Sequence, residues 1–131
     1  NPAYPEAHTK LAYTLEAQNR WSEAAAVFRQ AIENNPEDSQ AHFGLGRVLV
    51  KQEDYQEGLP HLLKSVDTHD EDNKPAYLYA LGAAYARSGE VRKGIPYLRQ
   101  AREKALLRGQ AGLVENIDED LRALESAGAS P

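Results

Sequence analysis

The chain contains no cysteine, and this absence excludes disulfide bonds, thiolate metal sites and cysteine nucleophiles. It leaves the redox compartment open, so cytoplasm and periplasm are both compatible with the sequence. No apolar stretch approaches the roughly 20 residues that a membrane-spanning helix needs. No secretory signal pattern is present either. We therefore expect a soluble protein without membrane insertion.

Basic runs and methionine are also missing. The 131 residues include 20 acidic and 15 basic side chains, which leaves a net charge of −5. Nucleic acids and anionic lipids attract clusters of Lys and Arg, so this charge balance disfavours both as partners. Because even the first residue is not methionine, we expect the chain to be a piece of a longer protein.

Patterns that carry catalysis or bind metals are absent. No Gly-x-Ser-x-Gly elbow, no glycine-rich phosphate loop and no convincing strand occurs. His61 and His69 lie eight residues apart, which exceeds one helical turn and does not match a zinc site. The acidic segment 67–72 lacks the glycine of a calcium-binding loop. We predict no catalytic residue, no metal and no cofactor, and therefore no enzyme.

An internal repeat dominates what the sequence does contain. A shift of 34 residues aligns the first copy with the second, and a further shift of 36 aligns the second with the third. The aligned residues are Asn1-Pro2 with Asn35-Pro36, Leu11 with Leu45, Leu15 with Leu49, and Trp21 with Tyr55, then Leu45-Gly46 with Leu81-Gly82, Gly58 with Gly94, and Pro60 with Pro96. A fixed period of this length is typical of helical repeat proteins.

Each copy predicts two amphipathic helices joined by a short polar turn. The turns are expected at residues 18–20 and 88–90, and Asp54 with Glu57 forms a candidate capping box at the start of the fourth helix. Small residues at Ala12, Gly46 and Gly82 would allow the paired helices to approach closely.

Two features leave alternatives open. Pro60 and Pro96 fall inside predicted helices, so these helices either bend at the prolines or begin after them. The longer second interval places two extra residues around positions 67–73, in a loop or in an additional part-turn of helix.

The pattern resembles the tetratricopeptide repeat family, over about residues 3 to 108. The matching residues are Leu11, Ala12, Leu15, Ala24, Phe28, Ala31 and Pro36 in the first copy, His42, Leu45, Gly46, Leu49, Gly58 and Leu62 in the second, and Leu78, Leu81, Gly82, Tyr85, Gly94, Leu98 and Ala101 in the third. The second and third copies lack the closing proline and carry glycine where alanine is usual. His8 and His42 occupy a position that is large and apolar in the family, so we expect both to pack between helices.

The resemblance implies one all-α domain over residues 1–131, an α-solenoid with repeats at about 5–38, 39–72 and 75–108. Gly109 is expected to end the third repeat as a left-handed cap. A capping helix is predicted at about 110–126, with one apolar and one charged face, followed by a tail at 127–131. Asn1-Pro2 matches the end of a repeat, so we expect the array to continue upstream, with this chain as its C-terminal part.

In this family the first helices of successive repeats line a concave groove. The resemblance places three sets of residues there, namely Glu6, Thr9, Tyr13, Glu16 and Ala17, then Gln40, Phe43, Arg47, Val50 and Lys51, and finally Ala76, Tyr79, Ala83, Ala86 and Arg87. The row of Tyr13, Phe43 and Tyr79 is suited to grip apolar side chains. Arg47, Lys51 and Arg87 add local positive charge, which favours a ligand with aliphatic anchors and a nearby acidic group.

The functional prediction is a non-catalytic scaffold that binds a peptide segment or a helix of a partner protein in this groove. Alternatively, the aromatic residues only complete the core. The Lys, Asn and Arg clamp of the family's chaperone-tail binders is absent, which disfavours a co-chaperone role. A second hypothesis is self-association, in which the module forms a homo-oligomer of a larger protein.

Overall fold

The computed structural model describes residues 5–128, with side chains from 7 to 127. Seven α-helices and no strand occur within that range. The helices are α1 (Pro5–Ala17), α2 (Trp21–Asn34), α3 (Ser39–Lys51), α4 (Tyr55–Val66), α5 (Lys74–Arg87), α6 (Val91–Leu107) and α7 (Ala111–Gly128). The expectations about Asn1-Pro2, the Glu6 side chain and the last three residues of the tail lie outside the described residues.

The first of two compact units, residues 1–67, contains α1 to α4. Helices α1 and α2 form one packed pair, α3 and α4 form a second, and α2 packs on α3. Most of the predicted apolar stripes lie in the core, where Phe28 and Leu45 are fully buried. The expectation that Leu11 belongs to the core stripe of α1 is wrong, because its side chain is 50% exposed while Ala12 and Leu15 are buried. Burying an apolar side chain of this size stabilises the fold by about 1.5–3 kcal/mol.

The second unit, residues 68–131, contains α5 to α7. Helices α5 and α6 form the third pair, and α7 packs mainly on α6. Ile117 is fully buried while Glu115 and Glu119 on the same helix are exposed. This division of α7 into an apolar and a charged face is the pattern that a terminal helix requires.

The turns between paired helices share one backbone geometry. Asn19, Glu53 and Gly89 each adopt a positive φ, of 61°, 62° and 97°. The residue after each donates its N–H to a carbonyl five positions earlier, as Glu90 does to Tyr85 at 2.8 Å. Gly109, with a φ of 69°, ends α6 in the same way, which confirms the predicted left-handed cap.

The start of α4 agrees only in part with the predicted capping box. Asp54 caps the helix as expected, because its carboxylate accepts the backbone N–H of Glu57 at 3.2 Å. The Glu57 carboxylate binds the guanidinium of Arg29 on α2 instead of returning to Asp54. The reciprocal half of the box is therefore absent, because a cation from the neighbouring repeat takes the carboxylate.

Helices α4 and α6 begin before their prolines, so Pro60 and Pro96 lie inside them. The alternative that these helices start later is wrong. A glycine precedes each proline by two residues, and both glycines lie where the paired helices touch. An ideal Cβ atom on Gly94 would lie 2.5 Å from the backbone oxygen of Gly82. This confirms that small residues allow the close approach of the paired helices.

The two extra residues of the second interval lie in the loop between α4 and α5. Within the second unit, Asp72 pairs with Arg108 and Glu71 lies 3.8 Å from Lys104. Asp70 accepts hydrogen bonds from Asn73. Three acidic side chains of this loop therefore face basic residues in and just after α6, and an amide.

The all-α repeat fold is confirmed, with three helical hairpins and a terminal helix. Within residues 5–128, every helix is too short or too polar to cross a lipid bilayer.

Candidate functional site

The first unit brings five side chains of the predicted groove together on α1 and α3. We call them the Arg47 cluster, and they are Tyr13, Glu16, Phe43, Arg47 and Lys51. The Arg47 guanidinium lies 4.8 Å from the Phe43 ring centroid and 5.7 Å from that of Tyr13. Its Nη2 atom donates to Glu16 Oε1 at 2.5 Å, and Lys51 Nζ donates to Glu16 Oε2 at 3.0 Å.

Glu16 is the centre of this cluster. Its side chain is only 5% exposed, whereas Arg47 and Lys51 are 36% and 37% exposed. A buried carboxylate requires cationic partners, because an unpaired one would lose its hydration without compensation. Since one carboxylate faces two cations, the cluster keeps one net positive charge at its surface.

The two aromatic residues of the cluster are more covered than a pure contact residue would be. Phe43 is 9% exposed, and Tyr13 packs edge-on against the core residue Phe28 with ring centroids 5.3 Å apart. The Tyr13 hydroxyl donates to the backbone oxygen of Gln40 at 3.4 Å. Burial is the main reason that the pKa of Tyr13 is raised. Both rings therefore contribute to the core and also support the guanidinium of Arg47.

In the second unit, the predicted site residues are Tyr79 and Arg87 on α5. The Tyr79 hydroxyl donates to the carboxylate of Asp120 on α7 at 2.6 Å. Burial and this hydrogen bond raise the pKa of Tyr79 to about 12. Tyr79 is therefore attached to the terminal helix, while Arg87 is exposed in the last turn of α5.

Four of the six predicted site residues thus meet in one cluster, and sequence reasoning missed the roles of two acidic residues. The repeat register places Glu16 in the predicted groove without a role, and Asp120 falls on the charged face of the predicted capping helix. The available signal for Glu16 was its position on the predicted groove face opposite Arg47 and Lys51, two cations four residues apart. For Asp120 the sequence contains no comparable signal.

The fold is similar to those of several solved structures. The chain is similar to the type III secretion translocator chaperone SycD of Yersinia enterocolitica, solved as an alternative dimer, with a TM-score of 0.86 and 16% identity. The match covers 96% of this chain and 95% of SycD. The N-terminal domain of stress-induced protein-1 from C. elegans matches with a TM-score of 0.74 and 13% identity, over 95% of this chain and 96% of that domain.

A third structure, YrrB, is described as a tetratricopeptide repeat protein with an unusual peptide-binding site. It has a TM-score of 0.63 and 26% identity, and the match covers 73% of this chain and 48% of YrrB. No curated protein sequence matches significantly.

The sequence profile of the tetratricopeptide repeat matches residues 9–76, which is 68 of the 131 residues and more than half of the chain. Together with three hairpins of the same geometry, this match supports a protein-interaction scaffold. The chain belongs to the tetratricopeptide repeat family.

Proposed function

We propose that the protein binds a peptide segment or a helix of a partner protein through the groove-facing side of its repeats, without catalysing a reaction. The Arg47 cluster is the observation that carries this proposal. It presents two ordered cations on an aromatic support, in a chain whose net charge is −5. YrrB, a structural relative, is described as peptide-binding.

The cluster favours a partner segment with an acidic group beside apolar anchors. Glu16 holds Arg47 and Lys51 in place before a ligand arrives, so binding costs little side-chain entropy. The remaining positive charge attracts one carboxylate, while the half-buried Tyr13 offers an apolar contact. Tyr79 and Arg87 on α5 are proposed as partner-binding residues of the second unit.

Peptide selection tests this proposal. A random peptide library displayed on phage is selected against the wild-type protein, and the peptides are then measured against Lys51→Gln. This change leaves the Arg47–Glu16 pair intact and removes one surface cation. We expect selected peptides to combine apolar residues with Asp or Glu, and to bind Lys51→Gln several-fold more weakly. Added salt should weaken wild-type binding as well.

Lys10→Gln is the matched control, because Lys10 is also an exposed cation and lies on the N-terminal half of α1. Its affinity for the same peptides should stay at the wild-type value. Equal binding by Lys51→Gln and wild type, or a peptide set without acidic residues, would contradict the role of the cluster.

Self-association is the competing function. The observation that favours it is a pair of adjacent exposed leucines at the end of α6, Leu106 and Leu107, which are 53% and 82% exposed. SycD, a structural relative, was solved as an alternative dimer. The two functions predict different oligomeric states for the protein in the absence of a partner.

A further inference from the structure

Two histidines of the second hairpin form a contact that the proposed function does not use. His42 on α3 and His61 on α4 have their Nδ1 atoms 3.0 Å apart and their ring centroids 5.2 Å apart, and the two ring planes are inclined by 25°. The His42 side chain is 7% exposed and that of His61 is 24% exposed. The contact therefore joins the two helices of this hairpin in a largely dry environment.

The surrounding acceptors define the tautomers of the neutral pair. His42 Nε2 lies 2.7 Å from the backbone oxygen of Pro36. A carbonyl oxygen only accepts, so His42 carries its proton on Nε2 and leaves Nδ1 as an acceptor. His61 must then donate its Nδ1–H to His42. The Nε2 atom of His61 is left without a proton, 3.8 Å from the Glu57 carboxylate.

The hydrogen bond between the two histidines is compatible with one additional proton on the pair but not with two. The first added proton enters His61 Nε2, beside Glu57, and leaves the N–H···N bond intact. A second proton would have to enter His42 Nδ1, where it would face the N–H of His61. Two cationic rings would then point their N–H groups at each other across 3.0 Å.

The other charges around the pair are already balanced. Glu57 is bound by Arg29 from α2, so it is only partly available to neutralise His61. Lys64, one turn further along α4, pairs with Glu37 in the loop before α3 at 3.1 Å. Burial, followed by the proximity of His42, lowers the pKa of His61 in spite of Glu57.

We propose that the His42–His61 pair is an acid-sensitive latch, which holds α3 against α4 with up to one added proton and releases them when a second proton binds. The same helix α3 carries Phe43 and Arg47, so acid would loosen the hairpin that bears the Arg47 cluster. The latch does not depend on the identity of any partner, and its test is independent of the proposed function.

The first repeat supplies a matched variant. His8 occupies the position equivalent to His42, and Val27 the position equivalent to His61, so a His–Val combination already occurs in this fold. His61→Val converts the second repeat to the arrangement of the first. His69→Val, at an exposed histidine of the second unit, removes one titratable ring without touching the latch.

The first experiment is an NMR titration of the wild-type histidine rings. At neutral pH we expect His42 in the Nε2–H form and His61 in the Nδ1–H form. On acidification, the amide signals of α3 and α4 should keep their positions while His61 Nε2 takes up its proton, and should shift only when the Nδ1–Nδ1 contact is lost. Both rings doubly protonated with unchanged amide signals of α3 and α4 would overturn the latch.

The second experiment measures urea unfolding from about pH 7 to about pH 5. The unfolded chain takes up two protons at these histidines, whereas the latched fold takes up at most one. The folding equilibrium constant of the wild type should therefore fall with decreasing pH more steeply than that of His61→Val, by up to tenfold per pH unit. His69→Val should retain the wild-type slope. A wild-type slope in His61→Val would also overturn the proposal.

Discussion

At the scale of single residues, Tyr79 is the group whose ionisation most clearly reports on the folded state. Its hydroxyl is partly buried and bonded to Asp120, which raises its pKa to about 12 from the usual value near 10. Between these two values the folded protein keeps a proton that the unfolded chain loses. The stability contributed by Tyr79 is therefore complete below about pH 10 and is lost as the pH rises towards 12.

We predict that Tyr79→Phe unfolds at lower urea concentration than the wild type at neutral pH, by about 1 kcal/mol, because the hydrogen bond to Asp120 is lost. The difference between the two proteins should shrink as the pH approaches 12. Tyr55→Phe serves as the control, since Tyr55 lies at the start of α4 in the other unit. A difference that stays constant across the alkaline range would show that Tyr79 is not bonded in solution.

The positions of the groove residues were predictable from the sequence, whereas their bonding partners were not. The groove positions follow from the repeat register, and the structure brings Tyr13, Phe43, Arg47 and Lys51 together as that register predicts. Their bonding partners were not predictable, because a long polar side chain can reach several neighbours. The capture of both cations by Glu16 depends on distances of a few ångströms across two helices. A helical periodicity does not define such distances.

At the scale of helices, the paired glycines determine how closely the two members of a hairpin approach. A Cβ atom on Gly94 would lie 2.5 Å from the backbone oxygen of Gly82, a contact that only a shift of the helices can relieve. The equivalent atom on Gly58 would lie 3.1 Å from the backbone oxygen of Gly46. The Gly94 position is therefore more tightly constrained than the Gly58 position.

We predict that Gly94→Ala destabilises the protein by about 2 kcal/mol, since overpacking outweighs the better helix propensity of alanine. Gly58→Ala should cost clearly less, because its contact requires a shift of only a few tenths of an ångström. Gly112→Ala in α7 is the control, with open space around its Cβ position, and should be neutral or slightly stabilising. Equal losses in the two paired positions, measured by urea unfolding, would contradict this order.

The hairpin turns lead to a separate prediction. Gly89 has a φ of 97° and open space around it, so a substitution there affects the backbone alone. Gly89→Ala should lower the stability by about 1 kcal/mol, because a side chain is strained in this region of φ. Glu53 already adopts the left-handed conformation at the equivalent turn, with a φ of 62°. Glu53→Gly should therefore change the stability in the opposite direction, or leave it unchanged.

The positions of α1 to α6 were predictable because each of these helices has a repeat-related counterpart, and that of α7 because it has an apolar and a charged face. The turns at residues 18–20 and 88–90 separate helices in the structure as expected. The prolines were not decidable from the sequence, because a proline removes one hydrogen bond wherever it stands and the packing determines whether the helix continues. Likewise, the capping box predicted from Asp54 and Glu57 could not anticipate that Arg29 of another helix would bind Glu57.

At the scale of the whole molecule, the two proposed functions predict different oligomeric states for the protein when no partner is present. A peptide-binding scaffold with an empty groove has no reason to associate, and single exposed leucines are normal on a monomer. Leu11 and Leu63 are such residues in the first unit, whereas Leu106 and Leu107 are adjacent in the second. Self-association through these leucines would bury at least one of the four side chains, and its extent would increase with concentration.

We predict that multi-angle light scattering finds the mass of one chain at two widely separated protein concentrations. Leu11→Ser and Leu107→Ser should give the same mass as the wild type, because both side chains are exposed and neither supports the core. A dimer mass that increases with concentration would favour self-association, and its loss in only one of the two variants would locate the interface. Peptide affinity measured on the same samples separates the functions, since a scaffold binds its ligand as a monomer. Binding that appears only in the dimer fraction would mean that the Arg47 cluster alone does not form the binding site.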